Sequence, residues 1–233
     1  IIIKQMGLDP IMQMVARDRN RLAMQSDIIG AYAFGINTML CLSGDHAKFG
    51  DHPMAQGVFD IDSVQMINMV RRMREEETFQ GGAKIDGAPK MFIGAAANPF
   101  ADPFELRVMR LAKKVKSGVD FIQTQCIFNL DKFEEWMKGV TDRGLDENVY
   151  ILAGITPMKS VGMARYMKNK VPGMDIPDAV IKRLEGVSKE QQPEEGIKMA
   201  VESIERIKEI KGVHGFHIMA IEWEEKVPQI VEQ

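Results

Sequence analysis

The chain alternates between two kinds of segment. Six short, nearly continuous apolar runs lie at 11–16, 37–42, 90–96, 120–125, 149–154 and 215–220. Runs of that length and composition read as strands buried on both faces, the pattern of a parallel sheet. Between and after them, segments at 21–34, 61–76, 103–117, 130–143, 160–170 and 194–211 carry helical patterning. The clearest is the stripe Ile197, Val201, Ile204 and Ile207. A short extra helix is expected at 177–184, before a loop from Gly186 to Pro193. Pro103 sits at an expected first turn, and Gly118 where that helix closes. No hairpin signals join the strands, so crossovers must link them. The expected class is α/β, as an open doubly wound sheet or a (β/α)8 TIM barrel.

Length bears on that choice. An eight-unit barrel takes about 250 residues or more, and six units already occupy all 233 residues. The chain opens on Ile1, Ile2 and Ile3, an apolar run that reads as the inside of a helix. For a barrel, the first two βα units are then missing from this numbering. The expected organisation is a single barrel domain over 1–233, incomplete at its N-terminus.

Composition excludes several functions. A net charge of −3 and a pI near 5.9 argue against a protein that binds nucleic acid by neutralising phosphates. No apolar run approaches the ~20 residues of a membrane span. Two cysteines, Cys41 and Cys126, with no paired C-x-x-C spacing, leave no zinc or iron–sulfur motif. A cytoplasmic, reducing location is expected. The 18 methionines read as core filler.

Chemistry in parallel α/β folds gathers beyond the C-terminal ends of the strands. Asp45 follows Gly44 there, so its carboxylate either orients a cationic or N–H-rich ring or caps a loop. Gln125 ends an amide-rich strand and suits either a heterocyclic edge or a neighbouring strand. Asn98 precedes Pro99 and is expected to cap the following helix. Lys114 lies in a last helical turn, where it complements the helix dipole or reaches a ligand phosphate. The run from Arg17 to Arg21 is expected to pair internally. His46 and His52 match no metal spacing, and His214 and His217 read as structural. There is no Walker loop, no Gly-x-Gly-x-x-Gly and no Gly-x-Ser-x-Gly.

Several segments together resemble one family. They are Arg17-Asp18-Arg19-Asn20-Arg21, Leu42-Ser43-Gly44-Asp45, Gly50-Asp51-His52-Pro53, Asp120 through Gln125, Leu152 through Pro157, and His214 through Ala220. In this order they resemble the methylenetetrahydrofolate reductase family over nearly the whole chain. The His52-Pro53 loop and the Glu222-Trp223-Glu224 ending are similar to the branch of anaerobic bacteria, including acetogens.

The resemblance implies a flavin-dependent barrel that reduces 5,10-methylenetetrahydrofolate to 5-methyltetrahydrofolate by hydride transfer from the reduced flavin N5. Asp45 matches the aspartate expected to stabilise the cationic intermediate, and Gln125 the glutamine that holds the pterin. Ile221 and Trp223 fall near folate or nicotinamide contacts, Trp223 where others carry arginine. Gln13, Ser43, Gly44, Phe59, Asn98 and Lys114 fall where the family contacts flavin. Departures at Gln13, Ser43, Phe59 and Asn98, with Arg107 in place of an acidic flavin ligand, leave FAD and FMN both open, FAD being the usual one. The family's general acid, a glutamate ending the first barrel strand, has no match here and is expected before Ile1.

The implied electron donor is NAD(P)H or a partner subunit with flavin or iron–sulfur centres; a homo-oligomer is also compatible. Two rival readings are a non-catalytic barrel subunit docked on an electron-transfer complex and a flavin-free enzyme acting on a phosphorylated metabolite. The second rival expects a glycine-rich phosphate loop late in the chain, and Ala220-Ile221-Glu222 offers none.

Overall fold

The computed structural model describes residues 5–232. The helical reading of Ile1, Ile2 and Ile3 lies outside them. Six strands form one parallel sheet in sequential order: β1 Ile11–Val15, β2 Thr38–Leu42, β3 Phe92–Ala97, β4 Phe121–Cys126, β5 Tyr150–Ile155 and β6 Gly215–Ile218. Helices follow the strands: α1 Arg21–Ala33, α2 Ser63–Glu75, α3 Leu106–Ser117, α4 Leu130–Thr141, α5 Val161–Lys170, α6 Asp178–Glu185, α7 Gln192–Lys208 and α8 Val227–Val231. Each strand matches its expected run to within a few residues, the central strands being buried on most positions while β1 and β6 are partly exposed.

The chain divides into two compact units, Ile1–Ala96 with Ala112–Ile122 and Ala97–Leu111 with Gln123–Gln233. In the first, Met14, Cys41 and Ala95 share a register row and are all buried. The opposite row is Gln13, Leu40 and Gly94. Gly94 is required there, since a Cβ would lie 2.2 Å from the Phe121 ring, which stacks on Phe92 at 5.4 Å. At the N-terminal ends of these strands Asp120 accepts from the Ile93 amide at 2.7 Å and pairs with Arg74 at 2.5 Å. Helix α2 opens with a capping box between Asp62 and Gln65.

In the second unit Cys126, Met158, Ala164, Met167, Ile176 and Leu184 form a buried cluster under α5 and α6. Helix α7 lies so close to the chain after β5 that a Cβ on Gly196 would fall 1.8 Å from the Met158 carbonyl oxygen.

Some boundaries differ from the sequence reading. Helix α3 begins at Leu106, three residues after Pro103. The backbone first makes turn bonds, Leu106 N–H to Pro103 O and Arg107 N–H to Phe104 O, and the Arg107 side chain also donates to Pro103 O. Helix α7 begins at Gln192, so Pro193 is inside its first turn and not in the preceding loop. A first-turn proline gives up no helical hydrogen bond, which is why it fits. The antiparallel bridge Thr78–Lys84 and α8 were not anticipated, being too short to carry a periodic signal.

Candidate functional site at the strand ends

Two loops meet at the C-terminal ends of β1 and β2, one running from β1 to α1 and the other from β2 to α2. The Arg17 amide donates to Ser43 O at 3.0 Å, the Val58 amide to Arg17 O at 2.6 Å and the Phe59 amide to Ala16 O at 3.2 Å. Ser43 Oγ accepts from the Ser63 amide at 3.1 Å, tying the β2 end to the start of α2. Gly44 has φ +88°, and a Cβ there would lie 2.2 Å from Val15 Cγ1. Conformation and space both demand glycine. Asp45 follows with an exposed side chain, while Arg17 Nη1 donates to its carbonyl oxygen at 3.0 Å. The Arg17 contact fixes the Asp45 backbone and leaves the carboxylate outside the bond.

Phe59 is 46% exposed and has φ +43°, a conformation costly for a side chain this large. Its amide bond to β1 holds it there, and Gly57 lies under the ring, where a Cβ would be 2.5 Å away. A cleft of about 250 Å³ opens among Arg17, Asp18, His52 and Gly57. Gln13 is exposed on β1, three residues before Ala16.

The basic run pairs internally only at Arg17; its other two arginines reach carboxylates outside the run, because the fold brings Asp27 and Asp60 alongside. Arg17 binds Asp18, Arg19 binds Asp27 and Arg21 binds Asp60, with N–O distances of 2.6, 2.6 and 2.7 Å. The Arg21 side chain and backbone amide, both donating to Asp60, hold that carboxyl down to about 2. Lys114 donates to Ala96 O at the end of β3. His46 caps the short turn Ala47–Phe49 through Nδ1. Among the described residues no cluster of three or more His, Cys, Asp or Glu side chains forms a metal site. No helix among them is long and apolar enough to cross a membrane.

The second unit presents its own strand ends. Gln125 is half-buried, and by strand alternation points away from the face on which Cys126 joins the α5–α6 cluster. Gly154 lets β5 close onto β4. A Cβ there would lie 2.6 Å from Thr124 O and 2.8 Å from Gln125 O, and its amide donates to Thr124 Oγ1 at 2.9 Å. His217 pairs in register with Gly154, and burial lowers its pKa. Asn98 accepts from the Phe100 amide at 2.9 Å and donates to Gly173 O at 3.2 Å, so it closes a turn and braces a loop. Thr156 Oγ1 donates to Cys126 Sγ at 3.0 Å.

Beyond β6, Ile221 is 55% exposed, Glu222 has φ +51°, and Lys159 lies over the Trp223 ring at 5.8 Å. Sequence reasoning missed Lys159 and the Arg17–Asp45 contact. Both join residues far apart in the chain, and neither has a local signal.

A parallel α/β sheet with glycine-shaped loops and polar side chains at its strand ends defines a class, the enzymes and binding proteins that hold ligands there. Within that class, the methylenetetrahydrofolate reductase family model matches residues 1–233, and the chain belongs to this family. It is similar to methylenetetrahydrofolate reductase 2 of Schizosaccharomyces pombe, 26% identical over 87% of this chain and 32% of that protein. It is also similar to a probable NADPH methylenetetrahydrofolate reductase of Caenorhabditis elegans, 21% identical over 97% of this chain and 32% of that protein. The chain spans about a third of the length of these curated relatives. Among solved structures, a Clostridium thermocellum protein described as binding two copies of 5-methyl-5,6,7,8-tetrahydrofolic acid aligns over 95% of this chain and 92% of its own. It is 12% identical, with a TM-score of 0.47.

Proposed function

We propose that this chain carries out flavin-dependent reduction of 5,10-methylenetetrahydrofolate to 5-methyltetrahydrofolate, as a (β/α) barrel of the anaerobic bacterial type. The observation that carries the reading is the family match over every residue, with Asp45 exposed on a loop that only glycine at position 44 permits. The first unit fits a flat heteroaromatic group. Phe59 offers a half-exposed ring, with Ser43 just past the end of β2 and the exposed amide of Gln13 on β1. A flavin bound there, FAD or FMN, supplies hydride chemistry that no side chain supplies.

The chain's own residues orient and stabilise. Gly44 lets the backbone approach the ligand, and Gln13, Ser43 and Phe59 position the ring system. Lys114, which also donates to Ala96 O, and Asn98, which also braces Gly173 O, are placed with them toward the flavin. Asp45 places a negative charge where the opened, cationic form of the folate develops positive charge. Gln125 offers a paired donor and acceptor to the pterin edge, and Ile221 an apolar wall.

The test is anaerobic turnover of 5,10-methylenetetrahydrofolate by flavin-reconstituted protein with a chemically reduced donor, with 5-methyltetrahydrofolate measured as product. Product formation together with stoichiometric flavin absorbance is expected. Flavin bound without turnover would favour the non-catalytic subunit.

A further inference from the structure

A left-handed residue that is not glycine relaxes unless its neighbours hold it, and such residues concentrate at functional sites. Glu222 is one, with φ +51°, immediately past the last strand. Its turn is held from two sides. Met219 N–H donates to Ile155 O and Trp223 N–H to Ala220 O, both at 2.8 Å. Across from it, Lys159 Nζ donates to Glu222 O at 2.8 Å and sits over the Trp223 ring at 5.8 Å. One ammonium therefore grips the strained residue by its carbonyl and the next residue by its ring.

Lys159 can act as a fixed post. The preceding residue, Met158, is 2% exposed, and its carbonyl oxygen is packed against Gly196 of α7. The residue the clamp presents is Ile221, apolar and 55% exposed at the strand end. An exposed isoleucine on a turn this constrained is what a binding wall requires, since its position is set before the ligand arrives.

We infer that Lys159 is a positioning residue for substrate binding. Through Glu222 and Trp223 it holds Ile221 in place against the folate. The inference rests on the functional reading above. Lys159 itself takes no part in proton or hydride transfer.

The experiment compares Lys159→Met, which keeps the aliphatic stem and loses both contacts, with Lys159→Arg, which keeps a donor and a cation. Lys159→Met is expected to raise KM for 5,10-methylenetetrahydrofolate about tenfold, the loss of roughly one charge-assisted bond and one cation–π contact. It should leave kcat within about twofold, because only ground-state and transition-state binding shared by both is lost. Lys159→Arg should restore KM, and Trp223 emission should shift to the red in Lys159→Met alone. Should Lys159→Met fail to fold, Trp223→Leu removes the ring contact alone and is expected to raise KM by a smaller factor, about threefold. A wild type that turns over, with KM unmoved in Lys159→Met or, failing that, in Trp223→Leu, overturns the inference and leaves the functional reading standing. A wild type that neither turns over nor binds 5-methyltetrahydrofolate overturns both.

Discussion

Asp45 differs from most carboxylates in the first unit in what its side chain is left to do. Asp18, Asp27 and Asp60 each hydrogen-bond to an arginine, whereas Arg17 bonds the Asp45 carbonyl and meets the Asp45 carboxylate only through space. If its carboxylate stabilises developing positive charge, Asp45→Asn should slow folate reduction about 10²-fold while flavin reduction stays near the wild-type rate. Stopped-flow measurement of the two half-reactions separates these, and equal slowing of both would make Asp45 a structural loop residue. His217 supports a prediction of a different kind. Burial lowers its pKa in the folded state, so the unfolded chain takes up the proton first as pH falls. Stability from neutral His217 is thus complete above the ordinary histidine value of about 6.5 and is lost as pH drops through the folded value. Urea midpoints should fall over that window in the wild type and stay flatter in His217→Gln.

Helix α7 and the chain after β5 show how packing overrides local preference. In an exposed helix interior, Gly→Ala gains roughly 1 kcal/mol. At Gly196 the added Cβ meets a main-chain oxygen at 1.8 Å, which cannot swing aside as a side chain can. Overpacking of this kind costs about 1–3 kcal/mol, so Gly196→Ala should destabilise. A lowered urea midpoint with an unchanged slope would show it; a raised midpoint would mean that α7 slides freely. The same displacement would move Met158 and Lys159, so KM should rise in this variant too. Nothing in the helical stripe of α7 marks Gly196 as the contact point, because the partner atom belongs to a distant loop.

At the scale of the whole molecule, the proposed reaction requires a source of electrons. The sequence has no dinucleotide-binding fingerprint, and its two cysteines are both buried. Burial pushes the Cys41 thiol up to about 12. An iron–sulfur relay within these residues has no ligands to rest on. Trp223 is half-buried with Lys159 over its ring, two residues from the exposed Ile221. The expectation is that a partner protein with flavin or iron–sulfur centres delivers the electrons. Rapid mixing of the flavin-loaded protein with NADH and with NADPH checks it. Slow bleaching by both is expected, and fast bleaching by either, without a partner, would assign the reaction to a single chain using NAD(P)H.

Alternation of doubly apolar strands with striped helices was enough, from sequence alone, to determine the α/β class, the six strands and their order of appearance. Each of those signals is local: burial on both faces forces a continuous apolar run, and burial of one helical face forces a stripe. The placement of Gly44, Asp45 and Gln125 at strand ends was also legible, because it follows from where the apolar runs stop. What only the tertiary structure decided is which atoms meet. Lys159 gripping Glu222 and Trp223, Arg17 holding the Asp45 carbonyl, and Gly196 against Met158 each join residues tens of positions apart. The bonds from Lys114 to the Ala96 carbonyl and from Asn98 to the Gly173 carbonyl are likewise set by the fold and not marked in the sequence. A side chain's partner is set by three-dimensional proximity and by the strength of desolvated polar contacts, and neither quantity is written in the spacing of one chain segment.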